Sequence, residues 1–165
     1  TKPGLSDLSE FDILVADDLG DVGFQCLRMA INGGQYFSTR THVVNVIEED
    51  KKGLFRAQIS DEKQAELRES KKKEVEQKLE QRLTDLDYRT LELGVKTYIE
   101  FGAPDEHILR IIEEENIDVL VMGTRARTGI SGMLIGNTAE RLLTQIPCSL
   151  LAVKPEGFVC PIKPD

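Results

Sequence analysis

The segment MGTRARTGISGMLIGNTAE, residues 122–140, gathers glycines, arginines and hydroxyls in an arrangement suited to holding an anion. Gly123 closes an apolar run, DVLVM, and Gly136 stands immediately before a helix-like stretch. A glycine lets the backbone approach a phosphate closely, and the first N–H groups of a helix have no intrahelical partner. Arg125 and Arg127 add positive charge to an otherwise acidic chain, which favours the same ligand. The segment is no Walker loop, because no Lys-Ser or Lys-Thr pair follows its glycines, and it lacks the G-x-G-x-x-G spacing. The same residues also fit a plain strand-to-helix loop: Asn137 with Glu140 three positions on is close to a capping box. Thr124, Thr128 and Ser131 offer hydroxyls without a neighbouring base to activate them.

A second polar group closes another apolar run. FDILVA, Phe11–Ala16, ends in Asp17 and Asp18, a pair able to hold Mg²⁺ through oxygen ligands and waters, or to accept a hydrogen bond from a ligand at a strand end. His42 and His107 are isolated from other metal-ligating residues and read as structural or surface groups. Cys26, Cys148 and Cys160 are odd in number and spaced neither as C-x-x-C nor as zinc ligands, so they read as reduced thiols. Cys26 and Cys148 lie in apolar runs as small core residues.

These groups need a frame. Apolar, β-branched runs at Phe11–Ala16, 42–47, Val95–Phe101, 118–122 and Ser149–Val153 read as strands. Between them, Phe24, Leu27, Ala30 and Ile31 form one stripe after a capping Asp21, with Gly33 and Gly34 at its end. Pro104 opens a helix carrying Ile108, Leu109, Ile111 and Ile112, and Ala139, Leu142, Leu143 and Ile146 mark the last one. Alternation of strands and helices predicts an α/β fold: a five-stranded parallel sheet with helices on both faces, a Rossmann-like arrangement in a single domain over residues 1–165. In such sheets ligands bind outside the carboxyl ends of the strands. The stretch 51–92 is an insert between the second and third strands. Its middle, residues 60–86, reads as a charged helix with Val75, Leu79, Leu83 and Leu86 on one side and a solvated remainder laced with opposite-charge pairs.

The chain has 165 residues and a net charge of −8, which disfavours nucleic acid and anionic membranes as partners. No apolar run approaches a bilayer's thickness, and the N-terminus has no signal-peptide pattern. Both point to the cytoplasm.

The opening ILVADD resembles a response-regulator receiver, with Thr124 and Lys154-Pro155 adding to the likeness. The phosphoacceptor aspartate is missing, since Arg56-Ala57-Gln58 stands where it belongs. A fuller likeness runs through residues 122–140. Nucleotide-binding members of the universal stress protein family carry glycine, two residues, glycine, nine residues, glycine and then Ser or Thr after the fourth strand. This chain resembles that pattern in its spacing and at Gly123 and Gly136, with Ala126 at the middle glycine and Asn137 at the hydroxyl position. Asp18, Val46 and Gly102-Ala103-Pro104 match further family positions, and the last third is similar to tandem-domain bacterial members.

The resemblance implies an adenine nucleotide alpha hydrolase-like fold that binds ATP or AMP, with Mg²⁺ accompanying ATP and little or no hydrolysis. Asp18 and Val46 would face the adenine and ribose side. Met122, Gly123, Arg125, Ala126, Gly136, Asn137 and Thr138 would complete the cradle around ribose and phosphates. It also implies a homodimer through the fifth strand, Ser149–Val153. A methyl at Ala126 costs on the order of 1 kcal/mol if that position needs φ > 0, so a nucleotide-free scaffold acting through its surfaces is the alternative. An ATP-hydrolysing enzyme with metal at Asp17 and Asp18 lacks an identifiable base.

Overall fold

The computed structural model describes residues 10–49, 59–124 and 137–157. Five strands, β1 (Phe11–Ala16), β2 (Thr39–Ile47), β3 (Val95–Phe101), β4 (Val119–Gly123) and β5 (Ser149–Val153), form one sheet in the order β3-β2-β1-β4-β5. Every pairing is parallel. Among the described residues four α-helices, α1 (Asp21–Gly34), α2 (Asp61–Asp85), α3 (Pro104–Glu114) and α4 (Asn137–Leu143), connect them. This is the expected α/β architecture.

The period of two along β1 explains its unbroken apolar run. Ile13 and Val15 point to one face, where Cys26, Leu27 and Ile31 of α1 and Val75, Leu79 and Leu83 of α2 cover them. Leu14 points to the other, against Ile108, Ile111 and Ile112 of α3 and Ala139 and Leu142 of α4. A strand covered on both sides has no solvent face to leave polar. Cys26 is fully buried, and burial, followed by the charges of Asp17 and Asp18, pushes its thiol up to about 12; it is a protonated core residue at neutral pH.

Four boundaries differ from the sequence expectation, one of them the end of α4, which stops at Leu143 and leaves Ile146 beyond it. β2 begins at Thr39 rather than His42, because Thr39 and Thr41 are buried and pair in register with Phe11 and Ile13. β4 runs one residue later than expected, since Asp118 sits just before the ladder and its carboxylate accepts from the N–H of Asp12 at 2.9 Å. Gly20 takes the N-cap position of α1 with no side-chain cap, so Asp21 lies in the first turn, where its charge suits the helix dipole.

A polar network begins at the foot of the sheet with Asp12 and Arg40 and reaches His42 and Tyr98 in the middle of β2 and β3. His42 is fully buried; its Nε2 lies 3.0 Å from Asp12 Oδ1 and its Nδ1 3.1 Å from the Tyr98 hydroxyl. Arg40 donates to the same Asp12 oxygen at 3.2 Å. His107 instead packs under Gly102, its Nε2 3.1 Å from the Phe101 carbonyl. Both histidines occupy structural positions.

Candidate functional site

Strand order reverses between β1 and β4, because the chain leaves β1 to build β2 and β3 on one side and returns to place β4 and β5 on the other. A crevice outside the carboxyl ends is the usual consequence. Residues named from sequence gather along this edge. Asp17 and Asp18 follow β1, with the Asp17 N–H donating to the Val44 carbonyl at 3.0 Å and Asn45 Nδ2 donating to the Asp17 carbonyl at 2.7 Å. Val46 near the end of β2 is half-buried and Met122 near the end of β4 is buried, both in the cluster under α3 and α4. Gly123 ends β4, and a Cβ there would lie 2.7 Å from Val22 Cγ1; glycine is what lets the first turn of α1 close on this strand. Thr124 is buried, its N–H donating to the Val153 carbonyl at 2.9 Å.

The other half of the predicted cradle is reached only in part. Asn137 opens α4 and Thr138 follows it, half-buried. Arg125, Ala126 and Gly136, and the side chain of Asn137, lie outside the described residues, as do Arg127, Thr128, Ser131 and Cys160.

The two aspartates, adjacent in sequence, have different surroundings. Asp18 is exposed, and its Oδ1 accepts from the Gly20 N–H at 2.8 Å. Asp17 is buried, and its carboxylate faces Arg82 of α2: Nη1 lies 3.0 Å from Oδ1 and 3.1 Å from Oδ2. The same guanidinium donates to the Gly20 carbonyl at 3.1 Å and to the Leu19 carbonyl, and it lies over the Phe24 ring. Asp17 Oδ1 also accepts from the Leu19 N–H at 2.8 Å. Burial raises the Asp17 pKa above its ordinary value, and the Arg82 charge offsets this only in part. A Mg²⁺ beside Asp17 would meet a cation already in place, so any metal role narrows to Asp18.

Gly23 makes this packing possible, since a Cβ there would sit 2.2 Å from Asp17 Oδ1 and 2.9 Å from Asp18 Oδ1. Sequence reasoning missed Arg82. On the charged helix it is one cation among many, and only its spacing, one residue before the buried Leu83 and three after Leu79, hinted at a position on the rim of the buried stripe.

This edge, built on a β3-β2-β1-β4-β5 parallel sheet with an acidic turn after β1 and a glycine closing β4, lies where ligands commonly bind in parallel α/β sheets. The chain belongs to the universal stress protein family, whose profile matches residues 11–154. It is 28% identical over 144 residues to universal stress protein MJ0531 of Methanocaldococcus jannaschii, a match covering 86% of this chain and 81% of that one. Its likeness to universal stress protein E of Photorhabdus laumondii is higher but shorter, 42% over 67 residues, which is 41% of this chain and 21% of that protein. The chain thus spans about a fifth of the length of the universal stress protein E relatives it matches.

Among solved structures it resembles hypothetical protein MJ0577, with a TM-score of 0.71 at 22% identity over 89% of this chain and 97% of that one. It also resembles a universal stress protein in complex with cAMP, with a TM-score of 0.56 at 14% identity over 87% of this chain and 96% of that one. At such identities these likenesses speak to the fold. Among the described residues no helix is long and apolar enough to cross a membrane.

Proposed function

We propose that this chain is a cytoplasmic stress-response regulatory protein that binds an adenine nucleotide, ATP or AMP, at the crevice between β1 and β4, with little or no hydrolysis. The observation that carries this reading is the coincidence of three features at one sheet edge. These are the exposed Asp18 after β1, the half-buried Val46 at the end of β2, and Gly123 leaving β4 toward the arginine- and glycine-bearing segment. The structural relative with cAMP bound supports a nucleotide as the kind of ligand this fold accepts. In this reading Asp18 and Val46 take the adenine and ribose side. Met122, Gly123, Arg125, Ala126, Gly136, Asn137 and Thr138 surround the ribose and phosphates. Mg²⁺, where ATP brings it, meets Asp18. No residue of the described edge combines a nucleophile with a base, which favours retention of the nucleotide over its turnover.

Ala126 and Asn137 favour a second reading, in which the chain has lost the nucleotide and acts as a dimeric scaffold. Denaturing the purified protein and identifying released small molecules by mass spectrometry, followed by calorimetric titration of the refolded chain with ATP, separates the two. Release of ATP or AMP, or saturable ATP binding, is expected; absence of both would leave the scaffold reading standing.

A further inference from the structure

We propose that Arg82, on the inserted helix α2, is a positioning residue for the nucleotide site, holding the β1–α1 turn so that Asp18 is presented to the ligand. The inference rests on the nucleotide reading above and names a residue that reading does not contain.

The turn is short and strained. Leu19 has φ of +63°, a left-handed conformation that is unfavourable for an L-residue and persists only when its surroundings impose it. Arg82 makes that imposition. Its guanidinium binds the carboxylate of Asp17 on one side of Leu19 and the carbonyls of Leu19 and Gly20 on the other. A rigid fork of five donors can reach the Asp17 carboxylate and both carbonyls at once, where a lysine offers one compact ammonium. With those carbonyls fixed, the orientation of the Leu19–Gly20 peptide is fixed, and with it the Gly20 N–H that holds Asp18 Oδ1 at 2.8 Å.

The anchor is itself rigid. Leu79 and Leu83, on either side of Arg82 in sequence, are each 2% exposed in the core, and the Phe24 ring lies 5.4 Å below the guanidinium. A relay therefore runs from the packed stripe of α2 through one side chain to the exposed acid at the rim. A role in stability alone accounts poorly for the arrangement, because burying an ion pair commonly gains little over an apolar pair of the same size. Burial dominates the environment of Asp17 despite the arginine.

The test is calorimetric titration of ATP into the full chain and into Arg82→Gln, Arg82→Lys, Asp18→Asn and the Arg82→Gln/Asp18→Asn double variant, each checked for folding by circular dichroism. Arg82→Gln is expected to weaken ATP binding about tenfold, with Arg82→Lys between it and the wild type, because lysine keeps the charge without the fork. Asp18→Asn should weaken binding to a similar degree. If the arginine acts through Asp18, the double variant binds no more weakly than the poorer single variant, since the two substitutions interrupt one relay. Wild-type affinity in Arg82→Gln or a multiplied loss in the double variant would overturn the proposal while the nucleotide reading survives. So would a loss in Arg82→Gln with none in Asp18→Asn. Should Arg82→Gln fail to fold, Arg82→Lys decides alone: undiminished affinity there overturns the proposal. Failure of the wild type to bind ATP would instead remove the nucleotide reading, and the proposal with it.

Discussion

Asp17 and Asp18 read from the sequence as one acidic pair and are two different groups in the folded chain. Asp17 is buried against Arg82, whereas Asp18 is exposed at the rim. What divides them is a partner 65 positions away, and no local pattern around the pair encodes it. The environment of Asp17 has a consequence for acid stability. Burial raises its pKa above the usual 3.8, with Arg82 opposing, so the folded chain holds this proton to higher pH than the unfolded chain does. Over that interval the folded state binds more protons, and stability falls as pH rises. Asp17 thus contributes most below the ordinary carboxylate value, and the contribution is lost as pH climbs through its raised value. Thermal melts of wild type and Asp17→Asn from acidic to neutral pH should show the wild type losing ground against the variant as pH increases. A difference that is flat, or that grows in favour of the wild type, contradicts this account.

At the scale of elements, the inner strands β1 and β4 were legible because the sheet is covered on both faces there, which turns them into short apolar runs. β3 and β5 have the bounds read from sequence, Val95–Phe101 and Ser149–Val153. β2 was read three residues short because Thr39 and Thr41 put hydroxyls in buried positions. The stripe of α2 was also legible, and Val75, Leu79 and Leu83 do pack into the core. Its outer face carries exposed pairs such as Lys78 with Glu74 at 2.6 Å. Apolar burial and surface charge should therefore separate cleanly along this helix. Leu79→Ala is expected to destabilise by about 2–5 kcal/mol, while Lys78→Ala changes stability by less than about 0.5 kcal/mol, as measured by urea denaturation. Comparable losses in the two variants would mean that α2 is held by its ion pairs and not by its stripe.

At the scale of the whole molecule, the sheet order leaves β3 and β5 at the edges. Strand alternation in the sequence predicted a parallel sheet but not its order, while the candidate edge followed from strand polarity alone. The cradle was less legible, because loop residues such as Ala126 acquire a role only through the backbone angles that surround them. β5 is short and its Leu151 is 43% exposed, and Leu143 of α4 is exposed as well. An unpaired apolar edge invites a second copy, in keeping with the dimer proposed from the family. Leu151→Lys is expected to shift the chain from dimer to monomer in sedimentation velocity at micromolar concentration, with the circular dichroism spectrum unchanged; a wild type that sediments as a monomer would refute the assignment of this edge.

The foot of the sheet carries a consequence of another kind. His42, Asp12, Tyr98 and Arg40 tie β1, β2 and β3 together by side-chain contacts, anchored at Asp12 and Arg40, at the opposite end of β1 from Asp18. Under the proposed nucleotide reading, fastening is anchored toward one pole of the slab and recognition sits at the other. Evolution, or an engineer, can harden such a protein against heat from below while leaving its upper pole free to change guests.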